Sequence, residues 1–244
     1  MEAVLYIAHG SRMEKGVTEA KAFIESVKPA IGVQIQEICF LELVHPTIAE
    51  GVKQCVEKGA TKIAIIPFLL LTAGHALEDI PQIIHQMRKT YPTIEFSYGE
   101  TLGVDEKMAT AVYERIKETN QCLTDETIVL LVGRGSSVPS VKDDLLQIAS
   151  FVQQTYDFKR VDVSFLYGAQ PSFDDAFNQL KSQRHQQVII VPYLLFSGLL
   201  LNGMKRKIAN EPYILTESLG YHEKIKELLI QRVKETINHF MYMA

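Results

Sequence analysis

The sequence is poor in cysteine, has no excess of positive charge and lacks a long apolar run. Only three of its 244 residues are cysteine, and Cys39, Cys55 and Cys122 form no C-x-x-C pair. Such a set fits a reducing compartment better than a disulfide framework, so a cytoplasmic location is expected. The 25 lysine and arginine residues are outnumbered by 29 aspartate and glutamate residues. This balance disfavours nucleic-acid and membrane-surface partners.

A membrane span and a signal peptide are also disfavoured. The longest apolar stretches, Ile63–Ala73 and Val188–Leu201, each contain a proline and are shorter than the roughly 18 residues that a spanning helix needs. The first residues carry an acid, Glu2, and the short apolar run that follows reaches His9 at once, unlike a signal peptide. With 47% hydrophobic and 22% charged residues, the composition is typical of a globular protein with a full core.

The chain contains an internal repeat. At an offset of 125 residues, Pro46 aligns with Pro171 and Pro67 with Pro192, and the neighbouring leucine pairs align as well. A repeat of this length indicates that one structural unit occurs twice. We therefore predict a first domain over residues 1–122 and a duplicate of it over residues 123–244.

Each half alternates short β-branched runs with longer stretches of helical period, which is typical of β-α-β units and a parallel sheet. The predicted strands are Ala3–His9, Val33–Glu42, Lys62–Leu71, Ile94–Tyr98, Ile128–Gly133, Val161–Tyr167, Gln187–Phe196 and Tyr213–Ser218. The fold class is α/β: two duplicated three-layer α/β/α domains, each with a mainly parallel four-stranded sheet of flavodoxin-like topology, in the order 2-1-3-4. Helices are expected to begin near Pro46 and Pro171, with each proline in a first helical position, and regular strand pairing is expected to stop at Pro67 and Pro192.

Three polar residues follow the first three predicted strands. His9 and Glu42 come directly at strand ends, and His75 lies just past the third strand. Because ligands bind beyond the carboxyl ends of parallel strands, these side chains are expected to converge. Two imidazoles and a carboxylate suit Fe, Co, Ni or Zn better than Mg or Ca, so the set is a candidate metal site.

The repeat supplies an internal control for this hypothesis. The matching positions of the second half hold Arg134, Tyr167 and Leu200, so all three ligand types are lost while the scaffold is kept. A metal or proton-transfer site in the first half alone predicts this contrast. The alternative is that each histidine is a hydrogen-bonded structural residue at a strand end.

Glycine and serine follow the first strand of each half and open the next helix. Free backbone N–H groups at such a point bind anions, and the serine is equally suited to cap the helix. Arginine beside these turns can grip a carboxylate through two hydrogen bonds. The candidate substrate-binding residues are Gly10, Ser11, Arg12, Arg134, Gly135, Ser136 and Ser137. The basic run Lys205–Lys207 is either a further carboxylate contact or a solvated helix face.

Taken together, these motifs resemble the class II tetrapyrrole chelatases, and most of all the sirohydrochlorin ferrochelatases of Bacillus-like bacteria. The resemblance covers essentially the whole chain. It is carried by His-Gly-Ser-Arg at 9–12, Phe-Leu-Glu at 40–42, Pro-Phe-Leu-Leu-Leu-Thr-Ala-Gly-His at 67–75 with Asp-Ile-Pro at 79–81, and Gly-Arg-Gly-Ser-Ser at 133–137. Each motif alone is unspecific, whereas their order on a duplicated scaffold is specific.

The resemblance implies a chelatase-like fold with the tetrapyrrole bound between two similar domains, and insertion of Fe²⁺ into sirohydrochlorin to give siroheme. By analogy His9 and His75 would bind the metal and take pyrrole protons, with Glu42 assisting as ligand, base or second-sphere residue. No permanently bound cofactor is expected, since the metal is a substrate, and Co²⁺ is possible in place of iron. The expected partners are sirohydrochlorin and a divalent metal ion, bound to a monomer.

Elementary chemistry agrees with these roles. Neutral imidazole binds Fe²⁺ and accepts a proton near neutral pH. The substrate's acetate and propionate arms need N–H groups and cations, and its ring needs apolar walls, for which Phe68, Leu69, Tyr193 and Leu200 are candidates. The alternatives are a cobaltochelatase of cobalamin synthesis, a zinc hydrolase using the same ligands, and a non-enzymatic metal or tetrapyrrole carrier.

Overall fold

Strands and helices alternate along the chain. The computed structural model describes residues 1–182, 187–195 and 198–242. The strands are β1 (Glu2–Ala8), β2 (Ile35–Phe40), β3 (Lys62–Phe68), β4 (Glu95–Tyr98), β5 (Ile128–Gly133), β6 (Arg160–Phe165), β7 (Val188–Tyr193) and β8 (Ile214–Leu215). The α-helices are α1 (Glu14–Val27), α2 (Ile48–Glu57), α3 (Ile80–Thr90), α4 (Glu106–Lys117), α5 (Ser140–Thr155), α6 (Phe173–Ser182), α7 (Leu199–Ile208) and α8 (Glu223–Tyr242). A 3₁₀ turn covers Lys28–Ala30 and a π-helical turn covers His75–Asp79.

The strands form two parallel four-stranded sheets of the same topology. Their orders are β2-β1-β3-β4 and β6-β5-β7-β8, which confirms the predicted α/β class and the predicted strand order. The central strand of the first sheet is fully buried from Ala3 to Ala8, and β5 is buried throughout. Burial on both faces explains why these strands are almost continuously apolar in sequence.

Several strands are shorter than predicted. Val33–Glu42 shrinks to Ile35–Phe40, Lys62–Leu71 ends at Phe68, and Tyr213–Ser218 is reduced to Ile214–Leu215. Phe196, at the end of the predicted seventh strand, lies outside the described residues. The apolar runs therefore extend past the hydrogen-bonded ladders into the strand-end loops, where Leu41 and Leu69 pack against the core while partly buried.

Pairing does not stop at Pro67 and Pro192, contrary to the prediction. Pro67 is in register with Ile7 and Pro192 with Val132, and the pairing of β1 with β3 continues to Phe68. Ile65 accepts a hydrogen bond from Gly99 on the β4 side, so Pro67, two residues on, faces that same side. There β4 pairs only as far as Ile65 with Tyr98. The proline therefore lacks its N–H where no ladder bond is needed.

The helices predicted at Pro46 and Pro171 begin later. In the first half the helix starts at Ile48, behind a capping box in which Thr47 and Glu50 bond each other's backbone N–H groups. In the second half Ser172 accepts from the Asp175 N–H in the same way. Both prolines precede the capping residue, so they belong to the loop and not to the first helical turn.

Packing divides the chain into two compact units that do not coincide with residues 1–122 and 123–244. Unit 1 comprises Met1–Gly103 and Lys226–Ala244, and unit 2 comprises Val104–Ile225. The last helix of each half is exchanged: α4 packs on α5 and β7 of unit 2, whereas most of α8 belongs to unit 1. The repeat predicts the two sheets, but it does not predict which sheet each terminal helix covers.

Equivalent arginines fasten the exchanged helices. Arg115 of α4 donates two hydrogen bonds to the Leu219 carbonyl in unit 2, at 3.1 and 2.9 Å. Arg232 of α8 donates to the carbonyls of Thr101 and Leu102 in unit 1, both at 3.0 Å. Each guanidinium thus satisfies backbone groups in the loop after the last strand of the other half.

None of the helices in the described part of the chain is both long and apolar enough to cross a bilayer.

Candidate functional site

The three predicted ligands lie together at the carboxyl edge of the unit 1 sheet. His9 follows β1 directly, and the loop after β2 runs beside it, because the Glu42 N–H donates to the His9 carbonyl at 3.2 Å. His75 begins the π-helical turn beyond β3. Parallel pairing of β2, β1 and β3 brings these three strand ends side by side.

Their side chains are close enough to share one ion. Nδ1 of His9 lies 3.6 Å from Oε1 of Glu42, and the rings of His9 and His75 meet edge to face with centroids 5.0 Å apart. One ligand atom from each residue falls within 4.8 Å of the others. An ion about 2.1 Å from each atom needs separations below about 4.2 Å, so small side-chain rotations complete the site.

The cluster is open to solvent on one side. Relative side-chain exposure is 23% for His9, 33% for His75 and 46% for Glu42. Closed cages are typical of structural metals, whereas a site with open positions exchanges its ligands. The geometry therefore suits an ion that is bound, presented and released.

A fourth residue, Asp79, belongs to the cluster and was not predicted as a site residue from the sequence. Its Oδ2 lies 2.7 Å from Nδ1 of His75, four residues earlier on the same turn. A carboxylate on one ring nitrogen fixes the tautomer and leaves the other nitrogen, Nε2, for a metal. In the sequence, the four-residue spacing of His75 and Asp79 indicates that they share one face of a helical turn. The repeat gives a second indication, since Leu200 and Met204 replace both members of the pair.

Gly10 permits the close approach on which the cluster depends. Its φ is +95°, and a Cβ there would lie 2.0 Å from the Glu42 carbonyl oxygen. Gly135 repeats the arrangement with a φ of +89° and the Tyr167 carbonyl at 1.7 Å. Any side chain would push the loop after the second strand away from the first strand end. In unit 1 that loop carries Glu42.

Ser11 and Ser136 do not cap helices, although helix capping was one of the two interpretations of these serines from the sequence. The helices begin later, at Glu14 and Ser140. The two hydroxyls instead accept hydrogen bonds from the N–H groups two residues on, of Met13 and Val138, both at 3.1 Å. Each Gly-Ser pair therefore forms a turn between strand and helix.

The predicted arginines are exposed at these turns. Arg12 and Arg134 are both exposed, as is Ser137 beside them. The basic run on α7 is different, because Lys205 pairs with Glu217 at 2.7 Å and Lys207 pairs with Asp174. These two lysines are held by acids of their own unit, which favours the solvated-face interpretation of the run.

Two of the four proposed ring walls belong to the core. Phe68 is 1% exposed and stacks on Phe23 with centroids 5.3 Å apart. Tyr193 is 2% exposed. Neither aromatic side chain is available to a substrate, so that prediction is wrong for both; Leu69 and Leu200 are partly exposed.

Fold and site together define a duplicated α/β protein of the chelatase type, in which unit 1 carries the one His/Glu cluster among the described residues that could hold a metal ion. The family model CbiX matches residues 3–119 and 128–236, and the chain belongs to the CbiX family.

Known relatives match over nearly the full chain. A sirohydrochlorin ferrochelatase of Priestia megaterium is 44% identical over 243 residues, covering 98% of this chain and 91% of that protein. A sirohydrochlorin cobaltochelatase of the same organism is 31% identical, covering 96% of this chain and 80% of that protein. The solved structure of SirB from Bacillus subtilis with Fe3+ matches with a TM-score of 0.92 and 40% identity, covering 98% of this chain and 96% of that one.

Proposed function

We propose that the protein is an enzyme, a lyase in classification, that inserts Fe²⁺ into sirohydrochlorin to form siroheme. The observation that carries this function is the partly exposed cluster of His9, Glu42 and His75 in a member of the CbiX family. The similarity to a sirohydrochlorin ferrochelatase over nearly the whole chain supports the choice of substrate. The metal is a substrate in this reaction, so no resident cofactor is proposed.

The geometry gives each ligand a role in the insertion. His9 and His75 hold the incoming ion while water is stripped from it, and their neutral imidazoles bind Fe²⁺ well. As the ion passes to the ring, its bonds to the protein ligands break, four metal–nitrogen bonds form, and the two ring N–H groups lose their protons. The imidazoles accept these protons as the metal leaves them, since a ring nitrogen that has released a metal has a lone pair for a proton.

Two carboxylates support the imidazoles. Asp79 accepts from Nδ1 of His75 at 2.7 Å and acts as a positioning residue, because it leaves Nε2 for the metal. Glu42 lies 3.6 Å from Nδ1 of His9, near enough to join the ion as a ligand or to orient that ring. Acidic side chains beside the cluster also lower the electrostatic cost of bringing in a divalent cation.

The strand-end turns are proposed to hold the substrate's carboxylate arms. Gly10, Ser11 and Arg12 in unit 1, and Arg134 with Gly135–Ser137 in unit 2, offer exposed cations and backbone donors. Their positive charge complements the acetate and propionate groups of sirohydrochlorin.

The test is an anaerobic spectrophotometric assay of sirohydrochlorin conversion. We expect His9→Ala and His75→Ala each to lose most insertion activity while metal-free sirohydrochlorin still binds. His85→Ala is the matched control, because His85 is exposed on α3. Full activity in either cluster variant would reject the assignment.

Cobalt insertion is the second candidate function, favoured by the 31% identical cobaltochelatase. Iron and cobalt share these ligand preferences, so parallel assays with Fe²⁺ and Co²⁺ decide between them. The same samples test the other classes. Zinc that survives dialysis at one ion per chain would favour a hydrolase, and spectral shifts without faster metallation would favour a carrier.

Location and assembly are part of the proposal. The cysteines Cys39, Cys55 and Cys122 are all unpaired, which supports a reducing compartment such as the cytoplasm. One chain supplies both sheets, so a monomer is proposed, and sedimentation equilibrium measures it.

A further inference from the structure

Leu43 has an unfavourable backbone conformation beside the metal cluster. It directly follows Glu42, its φ is 68°, and it is 57% exposed. Left-handed backbone is strained for a leucine and free of strain for a glycine. An exposed apolar side chain also gains nothing from burial.

The second half of the chain shows that the fold does not require a leucine here. Gly168 occupies the matching position with a φ of 66°. The scaffold therefore demands the left-handed conformation in both units, and one unit meets it with the residue that adopts it freely. In unit 1 the strain is kept together with an exposed leucine, which points to a use for the side chain.

Leu77 is a second exposed leucine at the same cluster. It lies two residues beyond His75 and is 51% exposed, whereas Ala76 between them is buried. Its counterpart in the repeat is the exposed Asn202. Apart from Met1, Leu43 and Leu77 are the only large apolar side chains exposed among the described side chains of unit 1. Both are lost from the repeat along with the metal ligands.

We propose that Leu43 and Leu77 form an apolar rim that contacts the flat face of the tetrapyrrole while the metal cluster delivers the ion to its centre. This inference rests on the proposed function. A macrocycle needs apolar contact area next to the metal ligands, and the nearby aromatic Phe68 is buried in the core. The rim supplies that area from the loop that carries Glu42 and from the π-helical turn that begins at His75, next to the cluster.

The test replaces each rim residue by its counterpart in the repeat. The affinity of Leu43→Gly and Leu77→Asn for metal-free sirohydrochlorin is measured by absorbance titration. Their affinity for Co²⁺ is measured without tetrapyrrole, and their melting temperatures are measured as well. We expect tetrapyrrole affinity to fall about tenfold in each variant while Co²⁺ affinity stays unchanged. Leu43→Gly should melt no lower than the unmodified protein, because it relieves the left-handed strain.

Two further variants separate apolar contact from other effects. Leu43→Met keeps an apolar side chain and should recover most of the lost tetrapyrrole affinity. Leu146→Gln removes an exposed leucine from α5 of unit 2 and should bind as the unmodified protein does.

The outcomes distinguish this inference from the function on which it rests. Unchanged tetrapyrrole affinity in Leu43→Gly, or a lower melting temperature together with weaker Co²⁺ binding, would overturn the rim while leaving the chelatase function in place. An unmodified protein that fails to bind sirohydrochlorin would overturn both.

Discussion

Ring orientation at His75 is controlled by its neighbour four residues on. Nδ1 of His75 donates a hydrogen bond of 2.7 Å to the Asp79 carboxylate. The π-helical turn His75–Asp79 brings the two side chains onto one face. π-Helical turns are rare and concentrate at functional sites. A histidine held in one tautomer loses less freedom when it binds a metal than one that rotates.

Removing the Asp79 carboxylate should weaken metal binding. We expect Asp79→Ala to lower Co²⁺ affinity by about 10- to 100-fold, the usual effect of losing such a partner. Asp79→Asn keeps an acceptor and should retain part of the affinity. Glu78→Gln, at the exposed neighbouring position, controls for the loss of one negative charge. Equal Co²⁺ affinity in Asp79→Ala and the unmodified protein, measured by calorimetric titration, would remove Asp79 from the site.

Substitution of Arg134 should weaken substrate binding and leave part of the turnover, whereas substitution of His9 or His75 should lose turnover and leave substrate binding. Arg134→Ala removes an exposed cation and should raise the dissociation constant for sirohydrochlorin while leaving part of the turnover at saturating substrate. Binding titrations and steady-state assays measure the two quantities separately. Unchanged substrate affinity would show that unit 2 does not contact the carboxylate arms through this residue.

The sequence predicts residues whose position follows from topology and misses those whose position follows from local backbone. His9, Glu42 and His75 are predictable because parallel strand ends share one edge and because the repeat lacks all three. Asp79 depends on a π-helical turn, and Leu43 depends on a left-handed φ. Neither backbone conformation has a distinct amino-acid composition, so the sequence does not predict it. The burial of Phe68 and the exposure of Leu43 likewise become clear only from the structure.

At the scale of elements, the start of helix α2 is stabilised by two interactions of one carboxylate, that of Glu50. Glu50 accepts from the Thr47 N–H at 2.7 Å and pairs with Nδ1 of His45 at 2.8 Å. The hydrogen bond with His45, followed by that with the Thr47 backbone, lowers the pKa of Glu50 from its ordinary 4.5 to about 2. The ionised carboxylate also favours the positive end of the helix dipole.

This depressed pKa predicts the pH dependence of one substitution. Since the folded pKa lies below the unfolded value, the stabilisation by Glu50 is fully present above pH 4.5 and is lost as pH falls toward 2. The difference in unfolding free energy between the unmodified protein and Glu50→Gln should therefore shrink over that window. Denaturant melts at pH 7, 5 and 3 measure it, with Glu57→Gln at the other end of α2 as control. A constant difference would contradict the prediction.

Element types follow from the sequence better than element boundaries. Short apolar runs predict all eight strands, and the runs are most continuous in β1, β3, β5 and β7, where burial on both faces leaves little place for polar residues. The same runs overshoot the ladders at Leu71 and at Ser218. Pro67 is tolerated because β4 is short, and that length is a property of the neighbouring strand and not of the proline's own segment.

At the scale of the whole molecule, unit 2 is continuous in sequence and unit 1 is not. Unit 2 runs from Val104 to Ile225, whereas unit 1 needs both Met1–Gly103 and the segment from Lys226. Tyr113 of α4 stacks on Tyr156 of α5 with centroids 3.7 Å apart. On α8, the Thr236 carbonyl accepts a hydrogen bond from the hydroxyl of Ser97 in β4.

Fragments test these boundaries. We expect residues 104–225 to fold alone with a cooperative melt, because that fragment contains every helix that unit 2 packs. Residues 123–244 lack α4 and carry an unpaired α8, so this fragment should be aggregated or partly unfolded by circular dichroism and gel filtration. A cooperative melt for 123–244 and none for 104–225 would restore the boundary predicted from the repeat.

No feature of the sequence pattern predicts that α4 and α8 are exchanged between the two halves. The helical period predicts that α4 and α8 are helices, but it does not predict which sheet each of them covers. Only contacts decide it, such as the bonds from Arg232 to the loop after β4.

The discontinuity of unit 1 also sets the order in which a growing chain is completed. The ribosome makes β1 to β4, with all the proposed metal ligands, before any of unit 2. Yet α8 is translated only after unit 2 is finished, at a rate of about 5–20 residues per second. The segment that carries the proposed ligands is therefore synthesised several seconds before the helix that completes its unit.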